Sequence, residues 1–187
     1  AARLIPDLLV FRPADAYETA DAWLQMLREK KRPSLLLLTR QDLAVINRQK
    51  YQPPQTGKGA YVLKLESDPS KLDAIVLATG SEVAIALVAA EAVERDGFSI
   101  RVVSIPCFKL FDEQPQDYRE KILPDSCRKR LAVEAGVTHG WERYVFSAAN
   151  VIGIDRFGTS APAETLAVKF GFTIENIEIK LKKLLTD

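Results

Sequence analysis

The sequence predicts an α/β fold: a three-layer α/β/α sandwich on a mostly parallel sheet of about five strands, preceded by an incomplete α/β fragment. Three observations predict it. Short apolar runs alternate with helix-length amphipathic segments through most of the 187 residues. A connector rich in Pro, Gly and polar residues, "NRQKYQPPQTGKGA" at 47–60, divides the chain into two blocks. The first block holds too few elements to cover both faces of a sheet.

In that first block "LIPDLLVF" is strand-like, and "ADAYETADAWLQMLREKK" is a helix entered through Asp15, with Glu18 three residues on as its reciprocal capping partner. Ala20, Trp23, Leu24 and Leu27 share one face of this helix. "SLLLLT" follows as a second strand, so residues 4–40 read as β-α-β with a parallel pair. Four consecutive leucines predict a strand buried on both faces.

Beyond the connector, "YVLKLE" and "DAIVLATG" are strands, and "SEVAIALVAAEAVERDG" is a helix closed by Gly97. "SIRVVSIP" is a strand, and "FDEQPQDYREKIL" is helical or irregular around Pro115. "KRLAVEAG" is a strand, "GWERYVFSA" a short helix and "NVIGIDRFG" the last strand. "APAETLAVKFGFT" carries Pro162 in its first turn and Gly171 at its stop. The closing helix, "TIENIEIKLKKLL", aligns Ile174, Ile177, Leu181 and Leu184 in one stripe.

Composition excludes several classes of function. A formal net charge of +1 argues against nucleic acid as a partner, and the basic cluster "REKKR" suits a helix end. No apolar run reaches the length of a membrane span. The start lacks the pattern of a signal peptide and has no methionine, as expected of a piece from inside a longer protein. Cys107 and Cys127 are too few for a disulfide framework and form no C-x-x-C, which fits a cytoplasmic protein. The single histidine, His139, rules out a two-histidine metal site, and no nearby residues complete a triad around it. It reads as a surface or capping residue.

Four stretches remain as candidates for chemistry. Arg40, at the carboxyl end of the leucine strand, stands where ligands collect in open parallel sheets, and its planar fork suits a phosphate or carboxylate. The alternative is a structural ion pair with Asp42 or Asp15. In "LATGSE", 77–82, the passage from strand to helix offers amides to an anion, but Thr79 and Glu82 as a capping box explain it without a ligand. In "IDRFGTSAPAE", 154–164, Gly158 would take a positive φ, Ser160 or Thr159 would cap the helix, and Asp155, Arg156 and Glu164 would cluster. Glu134 and Asp155, set in apolar strands, call for partners such as Arg130, Arg143 or Arg156. Structural pairing explains them better than acid–base catalysis.

Taken in order, "LIPDLLVFRPADAYETADAW", "LLLLTRQDL", "GKGAYVL", "DAIVLATGSEV", "FDEQPQDYREKILP", "AVEAG", "GWERYV" and "GIDRFGTSAPAETLAVKFGFT" resemble the C-terminal part of transketolases of the bacterial and plant type. The resemblance implies that residues 1–50 end a pyrimidine-binding domain, 51–60 link, and 61–187 form the C-terminal domain. It implies an enzyme of the pentose phosphate pathway or Calvin cycle that moves a two-carbon ketol unit from a ketose phosphate to an aldose phosphate. Such enzymes use thiamine diphosphate and Mg²⁺ and work as homodimers. Within this family Arg40 occupies the place of a substrate-phosphate ligand. The G-D-G motif that opens the family's metal and diphosphate site does not occur here, so no catalytic, cofactor or metal residue is assigned and neither cofactor is expected on this chain alone. The alternatives are a stand-alone dimerisation or regulatory module, or one subunit of a split transketolase or dihydroxyacetone synthase.

Overall fold

The computed structural model describes residues 2–186. The first block contributes β1 (Leu9–Phe11), α1 (Ala16–Arg28) and β2 (Ser34–Leu36), and β1 and β2 pair in parallel as a separate two-stranded sheet. Asp15 caps α1, its Oδ1 accepting from the Glu18 amide at 2.9 Å. Glu18 returns a bond, its carboxylate accepting from the Ala14 amide at 2.8 Å.

Two expectations for this block need correction. The leucine run is not a strand buried on both faces: β2 stops at Leu36 and is half-buried, while Leu37 and Leu38 are 41% and 58% exposed. Among the described residues nothing pairs with its outer edge, because the sheet has two strands. The apolar stripe of α1 also points outward, with Trp23 and Leu27 51% and 71% exposed, while Glu18 and Ala22 on the other side are buried.

The second block builds a five-stranded sheet in the order β3-β5-β4-β6-β7. Its strands are β3 (Tyr61–Lys64), β4 (Ala74–Ala78), β5 (Ile100–Ser104), β6 (Arg130–Val133) and β7 (Val151–Ile152). β4, β5, β6 and β7 run parallel, and the edge strand β3 is antiparallel to β5. Both faces are covered, which is why β4 and β5 are buried from end to end. Ala74, Val76 and Ala78 pack against α2 (Glu82–Glu94) and α7 (Ile174–Thr186), where Ile177 and Leu181 are enclosed as their stripe predicts. Ile75 and Leu77 face the opposite layer of α3 (Phe108–Asp112), α4 (Gln116–Ile122) and α5 (Glu142–Val145). There Phe108, Trp141 and Tyr144 meet edge to face. The stretch around Pro115 is two helices that break at that proline. Between β7 and α7 lies α6 (Ala163–Phe170), ended by Gly171 at φ +80°.

Three local expectations also change. Thr79 and Glu82 do not form a capping box: the Thr79 hydroxyl donates to the Arg12 carbonyl at 3.2 Å, and no side chain caps α2. Gly158 is not among the residues with positive φ, and the N-cap of α6 is Pro162, with no cap from Thr159 or Ser160. Asp155 lies past the end of β7, exposed, where it accepts from the Thr138 amide and hydroxyl at 2.8 Å each.

Candidate substrate-phosphate site at the carboxyl ends of the strands

The two blocks meet at the carboxyl ends of β4 and β5. After β1 the chain turns so that the Arg12 amide donates to the Pro106 carbonyl at 2.8 Å, while the Gly80 amide donates to the Arg12 carbonyl at 3.0 Å. Gly80 has φ +64°, and a Cβ there would come within 2.7 Å of the Arg12 guanidinium. Glycine is therefore required both by backbone conformation and by the close approach of the other block.

Behind this crossing lies a buried charge cluster. Arg3 grips Glu134 with two bonds of 2.7 Å, and the Trp141 indole N–H donates to the same carboxylate at 2.7 Å. Arg12 pairs with Glu82 and donates to the Thr79 carbonyl at 2.8 Å. The Glu82 carboxylate also accepts from the Ala135 amide at 2.9 Å and the Ser81 hydroxyl at 2.6 Å. Glu134 is thus ion-paired, as expected, but with Arg3 and, at 3.6 Å, Arg12, not with Arg130, Arg143 or Arg156. Arg130 instead donates to the carbonyls of Leu123, Pro124, Cys127 and Tyr144, and Arg143 pairs with Asp112 at 3.0 Å. Two cations facing two anions, all hydrogen-bonded, make a structural clamp between the blocks. The sequence offered a signal in "RPAD" and "LATGSE", but not the pairing of Arg12 with Glu82.

Over the clamp opens a cleft of ≈ 560 Å³. One wall is the segment after β2 (Leu37, Leu38, Thr39, Gln41), and the other combines the start of α2 with Leu166 and Phe170 of α6. Its floor lies past the carboxyl ends of β4, β6 and β7, where open parallel sheets bind ligands. Arg40 stands at the rim, between the lining residues Thr39 and Gln41. The Thr39 hydroxyl closes a small turn beneath it, 3.2 Å from the Gln41 amide and 2.7 Å from the Gln41 side-chain oxygen. Arg40 is exposed and has neither an ion pair nor a side-chain hydrogen bond among the described residues. Asp15, one of its possible partners, is committed to Arg48 at 2.9 Å. Arg40 itself is not among the residues that line the cleft; its exposed guanidinium, unpaired among the described residues, sits on the segment whose neighbours Thr39 and Gln41 do. His139 is exposed and is not among the residues that line the cleft.

The donor set does not suit a resident metal. Among the described residues no group of three or more His, Cys, Asp and Glu could hold an ion. Glu82 on the cleft lining and Glu134 behind it are already engaged by arginines and N–H donors, which leaves Glu164 as the one other carboxylate on the lining among the described residues. These residues do not fit a magnesium diphosphate.

Comparison with known proteins decides the family. The transketolase-like C-terminal domain family matches residues 59–173, and the transketolase pyrimidine-binding domain family matches residues 1–45. The chain belongs to the transketolase family. The transketolase of Geobacillus stearothermophilus is 44% identical over 186 residues, which is 98% of this chain and 27% of that protein. The solved transketolase from Leishmania mexicana superposes with a TM-score of 0.89 at 36% identity, covering 99% of this chain and 26% of that one. A Pichia stipitis transketolase, solved in complex with sedoheptulose 7-phosphate, matches at 34% identity and TM-score 0.83, covering 98% of this chain and 26% of its own. The chain thus spans about a quarter of the length of its relatives. No helix among the described residues is long and apolar enough to cross a membrane.

Proposed function

We propose that this chain serves within a transketolase as the part that recognises the phosphate end of the sugar substrate, with Arg40 as the ligand. The observation that carries this reading is the position of Arg40: an exposed residue with no side-chain partner among the described residues, between Thr39 and Gln41, which line a cleft at the carboxyl ends of parallel strands. A sugar phosphate offers the doubly charged, trigonal array of acceptors that such a fork binds with two parallel bonds. The whole enzyme transfers a two-carbon ketol unit from a ketose phosphate to an aldose phosphate, using thiamine diphosphate and Mg²⁺ held by residues outside this chain.

Residues 1–50 end the pyrimidine-binding domain, 51–60 link, and 61–187 form the C-terminal domain; the two family matches, at 1–45 and 59–173, support this division. The outward stripe of Trp23, Leu24 and Leu27 supports a pyrimidine-binding domain whose other elements cover it. The enzyme works in the cytoplasm as a homodimer.

The test compares whole enzyme and chain. The whole enzyme, supplied with thiamine diphosphate and Mg²⁺, is expected to transfer the ketol unit between sugar phosphates. The 187-residue chain alone is expected to give no transfer and no saturable heat when titrated with the same cofactors. Failure of the whole enzyme to transfer, or micromolar cofactor binding by the chain, would overturn the proposal.

A further inference from the structure

The segment that carries Arg40 is exposed and almost without bonds of its own. At its start the Leu37 amide donates to the Phe11 carbonyl at 2.8 Å, which fixes residue 37 to the end of β1. From 38 to 45 the only hydrogen bonds among the described residues are those of the Thr39–Gln41 turn. The segment is next held at Ile46, whose amide donates to Asp15 Oδ2 at 3.1 Å and whose side chain is buried in the main core. The same Oδ2 accepts from Arg48 at 2.9 Å, so one carboxylate oxygen gathers both residues at the far end of the segment.

Asp15 is well suited to this task. Its side chain is completely buried, and its other oxygen, Oδ1, caps α1 through the Glu18 amide. The anchor is braced in turn. Arg48 donates to the Tyr61 hydroxyl at 3.0 Å and to the Gln52 carbonyl at 2.9 Å, and the Tyr61 hydroxyl in turn donates to Glu18 at 2.8 Å. A short segment pinned at both ends has few conformations left, so the position of its middle residue is set by its two anchors.

We propose that Asp15 is the positioning residue for Arg40: by holding Ile46 and Arg48 it fixes the far end of the 38–45 segment and so presents Arg40 to the substrate phosphate. This rests on Arg40 being the phosphate ligand. Asp15 touches no substrate; it acts only through the segment.

The two oxygens of Asp15 allow a selective test in the whole enzyme. In Asp15→Asn the amide oxygen can still cap Glu18, while the NH₂ in place of Oδ2 meets two donors and accepts from neither. KM for a ketose phosphate is expected to rise about three- to tenfold, the scale of a misplaced binding group. KM for an unphosphorylated ketol donor, and kcat with both donors, should stay within about twofold on the same reasoning. On an Arg40→Ala background Asp15→Asn should add no further loss, because the two residues act through one contact. Hydrogen exchange at amides 38–46 should speed up in Asp15→Asn, while exchange in the central strands of the five-stranded sheet stays unchanged. Arg48→Gln, which leaves the α1 cap untouched, should reproduce the pattern if Asp15→Asn folds poorly. Equal losses with both donors, no loss, or additive losses with Arg40→Ala would overturn the role of Asp15. If Arg40→Ala itself fails to discriminate between the donors, the phosphate reading falls, and the positioning role with it.

Discussion

Glu18 is fully enclosed, yet three donors converge on its carboxylate: the Ala14 amide at 2.8 Å, the Tyr61 hydroxyl at 2.8 Å and the Ser104 hydroxyl at 2.6 Å. Burial, the largest effect, raises its pKa above the ordinary carboxylate value, against the lowering by Ser104, Ala14 and Tyr61. As pH rises the unfolded chain therefore loses this proton first. The contribution of Glu18 to stability is full below the ordinary carboxylate range and declines as pH climbs through that range toward the raised folded value. Glu18→Gln, whose amide cannot satisfy all three donors, should cost about 1–3 kcal/mol. The gap to wild type should be widest near pH 4, roughly the ordinary carboxylate value, and narrow toward neutrality. Urea melts across that range check this, and a gap that widens with pH would contradict it. The local half of this arrangement was legible, because Asp15 and Glu18 stand at capping spacing. The other half was not: Tyr61 and Ser104 lie 43 and 86 residues away, and no spacing rule reaches that far.

The helices and strands of the second block followed from periodicity and turn residues, because there each element finds the neighbours its pattern calls for. In the first block the pattern was read correctly but its surroundings were not. Leu37 and Leu38, and the stripe of α1, are apolar and exposed because nothing among the described residues covers them. What α1 buries toward the five-stranded sheet is its polar side, through Asp15 and Glu18, a choice that a hydrophobic count points away from. Arg130 shows a similar limit. Read as a partner for Glu134, it instead ties the end of α4 and the end of α5 to the start of β6, with four bonds of 2.8–3.0 Å to carbonyls of Cys127, Tyr144, Leu123 and Pro124. Arg130→Met would keep much of the volume and strand four acceptors, three of them in buried bonds. It should cost about 3 kcal/mol or more, beyond the usual range for a surface change. Chemical denaturation measures this; a loss below about 1 kcal/mol would show that water replaces the arginine.

For the molecule as a whole, alternation of strands and helices was enough to define the layered sheet, but not the seam that joins its two blocks. That seam depends on Arg3 reaching Glu134 across 131 residues and Arg12 reaching Glu82, and it places the end of the leucine strand over the cleft. Arg40 itself was legible from sequence, as a cation at a strand end and through family resemblance. Its lack of a side-chain partner among the described residues, and the anchoring of its segment by Asp15, required the fold. A charge-assisted pair of bonds to phosphate contributes about 1.5–3 kcal/mol, which is roughly ten- to a hundredfold in affinity. The most direct measurement is steady-state kinetics of Arg40→Ala in the whole enzyme, with a ketose phosphate and with an unphosphorylated ketol donor. The expected result is a loss in kcat/KM of about ten- to a hundredfold for the phosphorylated donor, mainly in KM, with the unphosphorylated donor nearly unaffected. Equal loss with both donors, or loss with neither, would contradict the assignment of Arg40 to the substrate phosphate.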